Sequence, residues 1–292
     1  MSIKSIVYFT FFILVAQSSF AADPAFEGYY KFILGGQHSG YVVQRFEIND
    51  AKKQMTSTYY VFVKTPSGST TESLVAKSDL SFEPISYQYS ALVDGKMKSV
   101  DATFKNKKMT AKMTDNGKTQ SVILNVPQNG FLSTFLNYVM LKNGLMVGKN
   151  YEYYALAEES PACFKGDKNC KATDVGFIKG TAGIKAEQKV GAVDAYKVDF
   201  NYKGVSFIGL LSHAGETLGS ISPMQEASTE LVSSRQAAVG AFPFKEKHIR
   251  ALFGDIPAGK KNALNITAAA PSMPPPEQAP VPMKTLPEKI GQ

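Results

Sequence analysis

The residues of this sequence best suited to covalent chemistry are its two cysteines, Cys163 and Cys170, which enclose the segment Phe-Lys-Gly-Asp-Lys-Asn. The chain also begins with an export signal, described below, and exported proteins usually keep their cysteines oxidised. We therefore predict a local disulfide between Cys163 and Cys170. A redox-active pair is the alternative, but the spacing is not the Cys-x-x-Cys of such sites.

The three histidines, His38, His213 and His248, are far apart in the sequence, and each lies near a predicted turn or a boundary. None belongs to a metal-binding spacing such as His-Glu-x-x-His. We predict that they are surface or loop residues and that the protein holds no metal. The segment from His213 to Glu216 has the composition of a hairpin turn.

The sequence lacks the common catalytic motifs. The segment from Gly204 to Gly209 contains Ser206 but misses the spacing of a Gly-x-Ser-x-Gly elbow. The pair Glu158-Glu159 stands beside Pro161 in a predicted loop, which is typical of solvated charge. Since phosphate-binding and dinucleotide motifs are also missing, we predict a protein that is not an enzyme and has no catalytic residues and no cofactor. An enzymatic role would require His213 or His38 to meet a carboxylate or hydroxyl group in a pocket.

The amino terminus predicts export. Lys4 precedes an apolar run from Ile6 to Ala16, and small residues follow at Ser19 and Ala21. We predict a signal peptide over residues 1–21, cleavage after Ala21, and a periplasmic or secreted protein. The apolar run, about 11 residues, is too short to span a membrane, and no later stretch is a transmembrane candidate, so the mature chain should contain no transmembrane segment.

The carboxyl-terminal segment, residues 257–292, is rich in proline and alanine and poor in aromatic residues. Such a composition buries too little apolar surface to offset its conformational entropy, so we predict a disordered tail. The alternative is a tether or docking segment that contacts an envelope protein or the cell wall. Residues 22–256 remain as one folded domain.

The charge of the folded part is modest. The formal net charge of the full chain is +7, and removal of Lys4 and of the tail's excess of two positive charges leaves +4. Arginine occurs only at positions 45, 235 and 250. Because nucleic-acid recognition favours clustered positive charge and arginine, we exclude nucleic acid as a partner.

From Tyr29 onward, short segments of alternating apolar and polar residues are separated by turn sequences. The pairs Asp94-Gly95 and Asn116-Gly117 are typical of two-residue hairpin turns, and Pro66-Ser67-Gly68 marks another turn. Turns at about ten-residue spacing favour antiparallel strands over crossover units. The fold class we predict is all-β and mainly antiparallel, with a large curved meander sheet or open barrel.

Two helices interrupt the predicted strands. Apolar residues between Phe131 and Met140 recur at helical spacing, and Asn143-Gly144 provides a stop, so this is the main packed helix. A capping box formed by Ser233 and Gln236 predicts a second, short helix. Between the helices we predict strands near residues 151–154, 174–179, 184–190, 194–202 and 205–211.

Several short motifs resemble a poorly characterised family of exported bacterial β-proteins. They are Gly35-Gly36 through Gly40-Tyr41, Asp79-Leu80 leading to Pro84 and Tyr87, Gly148 and Tyr151 after the helix, and Gly191-Ala192 before Tyr196-Lys197-Val198. This domain of unknown function looks like the lipoprotein-carrier type of open β-barrel and is similar to segments found beside transglutaminase-like domains. The resemblance implies no catalytic residues, and by analogy of fold it favours lipid or lipoprotein binding.

The sequence departs from that family in one strand. Relatives commonly place a tryptophan where this chain has Leu210-Leu211-Ser212-His213. We expect an exported, non-enzymatic cell-envelope protein that binds an apolar or amphipathic ligand, such as a lipid or a lipoprotein, in the curved sheet. The alternative is an envelope scaffold that acts through its surface and its Pro-rich tail. The ligand-binding residues are not identified, because cavity-lining and core-filling aromatics follow the same alternation.

Overall fold

The computed structural model describes residues 24–66, 68–157, 175–202 and 204–265. The predicted signal peptide with its cleavage site at Ala21, the Cys163 and Cys170 pair, and Glu158-Glu159 lie outside these ranges. Those predictions are therefore not tested by the fold.

The described residues form one curved, unclosed sheet of 15 strands, which confirms the predicted fold class. The chain first runs outward from β1 to β8 on one side, and the later strands fill the other side in the order β15-β14-β13-β12-β11-β10-β9. Every pairing is antiparallel except that of β9 with β10. The strands are β1 Pro24–Leu34, β2 Gln37–Asn49, β3 Gln54–Thr65, β4 Gly68–Asp79, β5 Pro84–Val93, β6 Lys96–Lys105, β7 Lys108–Asp115, β8 Lys118–Asn125, β9 Gly130–Leu132, β10 Asn150–Ala157, β11 Gly176–Val190, β12 Val193–Tyr202, β13 Val205–Ser212, β14 Thr217–Ser222 and β15 Ala227–Val232.

The predicted hairpin turns are confirmed. Asp94 and Gly95 have φ angles of 49° and 81°, and Asn116 and Gly117 have 47° and 80°. Positive φ at both central residues matches the right-handed twist of the flanking strands, which is why asparagine, aspartate and glycine occur there. The segment from His213 to Glu216 also forms a turn, in which the Ser212 N–H donates to the Glu216 carbonyl at 2.8 Å.

The main helix is shorter than predicted. Residues 130–132 form β9, a 3-10 turn follows at Ser133–Phe135, and α1 spans Leu136–Lys142. Phe131 and Leu132 are both buried but contribute to different apolar clusters, so the chain at this point is packed on two sides, as in an extended strand. Gly144, with φ of 86°, follows the last turn as expected.

Near the carboxyl terminus the structure contains α2 Arg235–Val239 and α3 Glu246–Phe253. The cap of α2 is Ser234, whose hydroxyl accepts the Ala237 N–H at 3.1 Å, so the predicted box of Ser233 and Gln236 is wrong by one residue. Helix α3 was not predicted.

Two segments predicted as separate strands are one strand, β11. Its pairing with β12 shifts in register between Ile184 and Ala186, which leaves Lys185 as an extra residue. Such a bulge bends a strand without ending it, and the residues between the two predicted segments remain paired with β10.

The inner face of the sheet carries the main core. Its largest fully buried side chains include Phe26, Leu74, Tyr87, Met109 and Phe135. A second core lies on the opposite face of β1–β3, where α2 and α3 cover a cluster that contains Tyr29, Tyr41, Tyr60, Phe62 and Ile249. A third cluster joins α1 to strands β10–β13.

Residues 257–265 pack against the sheet, which corrects the predicted start of the tail at Pro257. The Tyr29 hydroxyl donates to the Pro257 carbonyl at 2.7 Å. Asn262 is fully buried, and its Nδ2 donates to the carbonyls of Glu27 at 2.8 Å and Gly259 at 2.9 Å. These contacts are hydrogen bonds of individual polar groups. The prediction of a disordered tail considered only the low content of aromatic residues, which does not show such bonds. Residues 266–292 lie outside the described part of the chain.

Candidate functional site

A row of small side chains crosses the inner face of the sheet from β13 to β15. Gly209 is paired with Ser220, and Ser220 with Thr229, and the row ends on β1 at Phe32, which is paired with Thr229. Residues in register on one face of neighbouring strands lie side by side. The row therefore leaves room above the sheet at a point where larger side chains would fill it.

Aromatic rings flank this row. Phe200 on β12 and Phe207 on β13 stack with centroids 4.9 Å apart and planes 13° from parallel. A Cβ atom added to Gly209 would lie 2.6 Å from Cε2 of Phe200, so the Phe200 ring rests directly over this glycine. A glycine in a strand interior often marks such a close approach.

Two adjoining hollows lie over the row and share Phe207 and Ser220, and we call them together the inner groove. The first, of about 200 Å³, lies between the start of α1 and strands β12–β14. The second, of about 210 Å³, lies toward β1 and β15 and includes Phe32. The lining residues of the inner groove are Ser133, Thr134, Leu136, Asn137, Phe200, Phe207, Gly209, Leu211, Thr217 and Ser220 in the first hollow, and Phe32, Val205, Phe207, Ser220, Ser222, Gln225, Ala227, Ser228 and Thr229 in the second.

Hydrogen bonds fix the wall formed by the start of α1. The Asn137 amide Nδ2 donates to the Thr217 hydroxyl at 2.8 Å. The Thr134 and Ser57 hydroxyls lie 2.6 Å apart and tie the 3-10 turn to β3. The start of α1 is thus hydrogen-bonded to β14 and β3, one strand from each half of the sheet.

The floor of the inner groove combines apolar and hydroxyl groups. The Ser220 and Thr229 hydroxyls are hydrogen-bonded to each other at 2.8 Å. The buried hydroxyl of Ser222, at the end of the second hollow, has no hydrogen-bond partner among the residues described. Aromatic rings with a few hydroxyl groups are the usual lining of a site for an amphipathic molecule.

A buried carboxylate lies beside the first hollow. Glu216 precedes Thr217 and is only 8% exposed, and its Oε2 accepts the Ala263 N–H at 2.7 Å. Burial raises the pKa of Glu216, although this hydrogen bond opposes the change. Burial, with a smaller contribution from the Glu216 charge, also raises the pKa of Tyr138. The Glu216 carboxylate holds the carboxyl-terminal segment against the hairpin turn.

A second buried charge cluster joins β1, β2 and the segment after α3. The Arg45 Nε donates to Glu27 Oε1 at 2.8 Å, and its Nη2 donates to Asp255 Oδ1 at 2.7 Å. The other oxygen of Glu27 accepts the Gly259 N–H at 3.0 Å. Each group has a protein partner, so this cluster stabilises the fold rather than leaving reactive groups for a ligand.

Two larger hollows are present elsewhere. One, of about 560 Å³, lies on the outer face of β10–β13 and is lined by exposed polar residues such as Glu152, Asp199 and Asn201. The other, of about 680 Å³, lies at the β1–β2 turn. The first of them also touches Phe200 and Phe207, and the second touches Phe242, but both contain exposed charged or turn residues that the inner groove lacks.

The three histidines do not come together. The His38 ring packs edge-on against Phe242, and its Nε2 lies 2.9 Å from the carbonyls of Gly40 and Ala238. His213 stacks on Tyr196 with centroids 4.7 Å apart, and the ring of His248 lies 5.3 Å from that of Tyr60. All three are exposed, as predicted. Within the described ranges, no three histidine, cysteine, aspartate or glutamate residues are grouped as metal ligands would be.

The residues of the inner groove were missed at the level of sequence, although one signal was available. Gly209 interrupts an apolar strand, and a glycine inside a strand indicates close approach of another group. Strand β13 also includes Leu211, which lines the first hollow, and Leu210, which packs against the main core. Nothing in the sequence indicated that Ser220 and Thr229 belong to a groove, because only pairing across the sheet brings them together.

No protein-family model matches the chain, and no curated protein matches it. Among solved structures, it is similar to a β-barrel-like protein of the domain of unknown function DUF1849 from Brucella abortus, with 14% identity and a TM-score of 0.48 over 70% of this chain and 94% of that one. It is also similar to a DUF1089 family protein from Pseudomonas aeruginosa, with 12% identity and a TM-score of 0.35 over 63% and 90%. Likeness at this level carries nothing about function. In the part of the chain described, none of the helices has the length and apolar character needed to cross a bilayer.

Proposed function

We propose that this protein is a non-enzymatic binding protein that takes up an amphipathic molecule with an apolar chain in the inner groove. The observation that carries the proposal is the cross-strand row Gly209, Ser220 and Thr229 flanked by Phe32, Phe200 and Phe207. Aromatic and small residues at these positions provide an apolar floor, and the hydroxyls provide a place for a polar group.

The size of the space limits the ligand. The rest of the inner face is filled, since residues such as Leu74, Tyr87 and Met109 are at most 1% exposed. A ligand that occupied the whole curve of the sheet would have to displace this core. The two hollows, at about 200 and 210 Å³, fit one acyl chain or a similarly narrow group rather than a multi-chain lipid.

Export to the periplasm or to the exterior is part of the same proposal, since it depends on the signal pattern at residues 1–21. Fractionation of cells that express the full chain, followed by mass determination, tests it. A mature protein that begins at Ala22 in the envelope or the medium supports the proposal, and a full-length cytoplasmic chain contradicts it. The scaffold role of the Pro-rich tail remains a prediction, as residues 266–292 are not described.

The binding experiment uses the mature full chain and a fatty acid that carries a dansyl group, whose fluorescence rises in an apolar site. The variant Ser220→Phe fills the junction of the two hollows. The matched control is Ile221→Phe, on the exposed outer face of the same strand, β14. We expect the wild type and Ile221→Phe to bind alike and Ser220→Phe to bind about tenfold more weakly, since it occupies the site.

Two results would contradict the proposal. One is an absence of probe binding to the wild type, and the other is equal binding by Ser220→Phe and the wild type. Thermal unfolding of each variant must be recorded first, because weaker binding is informative only for a variant that remains folded at the assay temperature.

A further inference from the structure

The sheet is unclosed, and its two edges differ. At one edge, β9 is only three residues long and leads at once into the 3-10 turn before α1. At the other edge, β8 is an eight-residue strand that pairs with β7 along its whole length without a register shift. Strand β8 therefore presents a straight edge to whatever lies beside it.

The pairing shows which backbone groups of β8 face outward. The Val126 N–H donates to the Lys107 carbonyl at 2.8 Å, directly beyond the paired strands. Hydrogen-bonded positions alternate along an antiparallel pair, so the N–H and C=O groups of Gln120, Val122 and Leu124 point toward β7. Those of Thr119, Ser121, Ile123 and Asn125 point away from it, and all four residues are exposed.

Within the described residues, this edge lacks the usual protection against pairing with another strand. Natural edges carry charges, prolines or bulges that block an incoming strand. Within β8 the only charge is Lys118, at its first residue, and the segment Lys118–Asn125 contains no proline. Ile123 is 69% exposed on the outer face beside this edge. Such an edge is a template for strand addition.

The positive charge near the β8 edge indicates which kind of incoming strand could pair with it. Residues 96–125 contain seven lysines and two aspartates, which gives this hairpin region a net charge of +5. Lys108 and Lys112 are exposed on β7, the strand next to the edge. A second copy of this chain would bring an equal positive charge to the same place, whereas an acidic strand would be attracted.

We propose that the β8 edge binds an extended acidic segment of a partner protein, which adds to the sheet as a sixteenth strand. Its backbone pairs with the outward groups of Thr119, Ser121, Ile123 and Asn125. Its apolar side chains extend the inner face beyond Val122 and Leu124, and its acidic side chains lie on the outer face near the lysines. This surface is separate from the inner groove, so the proposal stands or falls independently of ligand binding.

The test uses a fluorescein-labelled peptide of alternating glutamate and valine, the same peptide with lysine in place of glutamate, and the mature full chain. The variant Ser121→Pro removes an outward N–H and leaves the bonds to β7 intact, because proline is tolerated on strand edges. The matched control Ser121→Ala keeps that N–H. We expect Ser121→Pro to bind the acidic peptide about tenfold more weakly than Ser121→Ala does.

Two further readouts define the outcome. In hydrogen exchange, the acidic peptide should protect the amides of Thr119, Ser121, Ile123 and Asn125, and rising salt should weaken its binding. Equal binding by Ser121→Pro and Ser121→Ala, or equal binding of the lysine peptide, would overturn the proposal. It would also be overturned if the chain alone formed a dimer that Ser121→Pro made monomeric, because a second copy would then occupy the edge.

Discussion

Strands β1–β3 and strands β6–β8 belong to one meander, but the outer face of the first group is covered and that of the second is exposed. The outer face of β1–β3 is covered by α2, α3 and the segment that follows them, and Tyr41 and Val43 are fully buried there. The outer face of β7 is open, since its buried and exposed residues alternate along most of the strand. Strands buried on both faces act as the centre of a fold, and strands buried on one face remain available for contacts.

This difference separates strands whose burial supports the fold from strands whose outer face is open to solvent. The covered strands carry the ion pairs of the buried Arg45 side chain and the contacts with residues 257–265. The open strands carry the lysines and, among the described strands, the β8 edge of the sheet. We expect substitutions in the covered strands to change the free energy of unfolding and substitutions in the open strands to change it little.

The largest expected effect comes from two truncations. A chain that ends at Asn265 should have the same free energy of unfolding as the full chain. A chain that ends at Ile256 should have a free energy of unfolding that is lower by roughly 3 to 6 kcal/mol. The shorter chain lacks the N–H groups of Gly259 and Ala263, which leaves the buried carboxylates of Glu27 and Glu216 without these partners. Urea unfolding measures the difference, and equal midpoints for the two chains would show that residues 257–265 contribute nothing to stability.

A matched pair of apolar substitutions compares the two outer faces directly. Phe62 is 5% exposed beneath the carboxyl-terminal helices, and Ile123 is 69% exposed on β8. We expect Phe62→Ala to lower the free energy of unfolding by roughly 3 to 5 kcal/mol and Ile123→Ala to lower it by about 0.5 kcal/mol or less. The reason is that only Phe62→Ala leaves a cavity. A similar cost for both, measured by urea unfolding, would remove the distinction between covered and open strands.

The cap of α2 provides a smaller effect within the covered region. Ser234→Ala should lower the free energy of unfolding by about 1 kcal/mol, since its hydroxyl accepts the Ala237 N–H. Ser233→Ala serves as the control and should cost much less. Thermal unfolding of both variants decides between the two serines, and a larger loss for Ser233→Ala would restore the capping box read from the sequence.

The last effect appears only as a function of pH. Burial raises the pKa of Glu216 above its ordinary value, so the folded chain holds this proton more tightly than the unfolded chain. Its contribution to stability is therefore greatest below the ordinary pKa and is lost as pH rises through the folded value. We expect the wild type to gain stability over Glu216→Gln as pH falls from about 7 to about 4. Urea unfolding at several pH values measures this difference, and a constant difference would contradict the expected pKa change.

Much of the sheet could be predicted from local chemistry. The turns at Asp94-Gly95 and Asn116-Gly117 need positive φ angles, and few residue types accept them. The end of α1 at Asn143-Gly144 could be predicted in the same way. Helix α3 was missed even though Glu246 and Arg250 form an ion pair one turn apart and Gly254 follows the last turn. Its apolar face is short, and its packing on β3 is what makes it a stable helix.

The candidate site could not be predicted in the same way. The hydroxyls of Ser220 and Thr229 meet across two strands, and Phe32 reaches them from a strand almost 200 residues earlier in the chain. Alternation shows that a side chain faces inward, but it does not show whether the space beside it is filled. That depends on the volumes of side chains from several strands at once.

The sequence by itself determined the fold class and the positions of the tight turns, because each depends on the pattern of neighbouring residues. Only the tertiary structure decided that the sheet stays unclosed, that residues 257–265 belong to the folded part, and that a groove remains over Gly209. Burial and pairing between distant segments set these features. Their energies are sums over many contacts, which no short stretch of sequence contains.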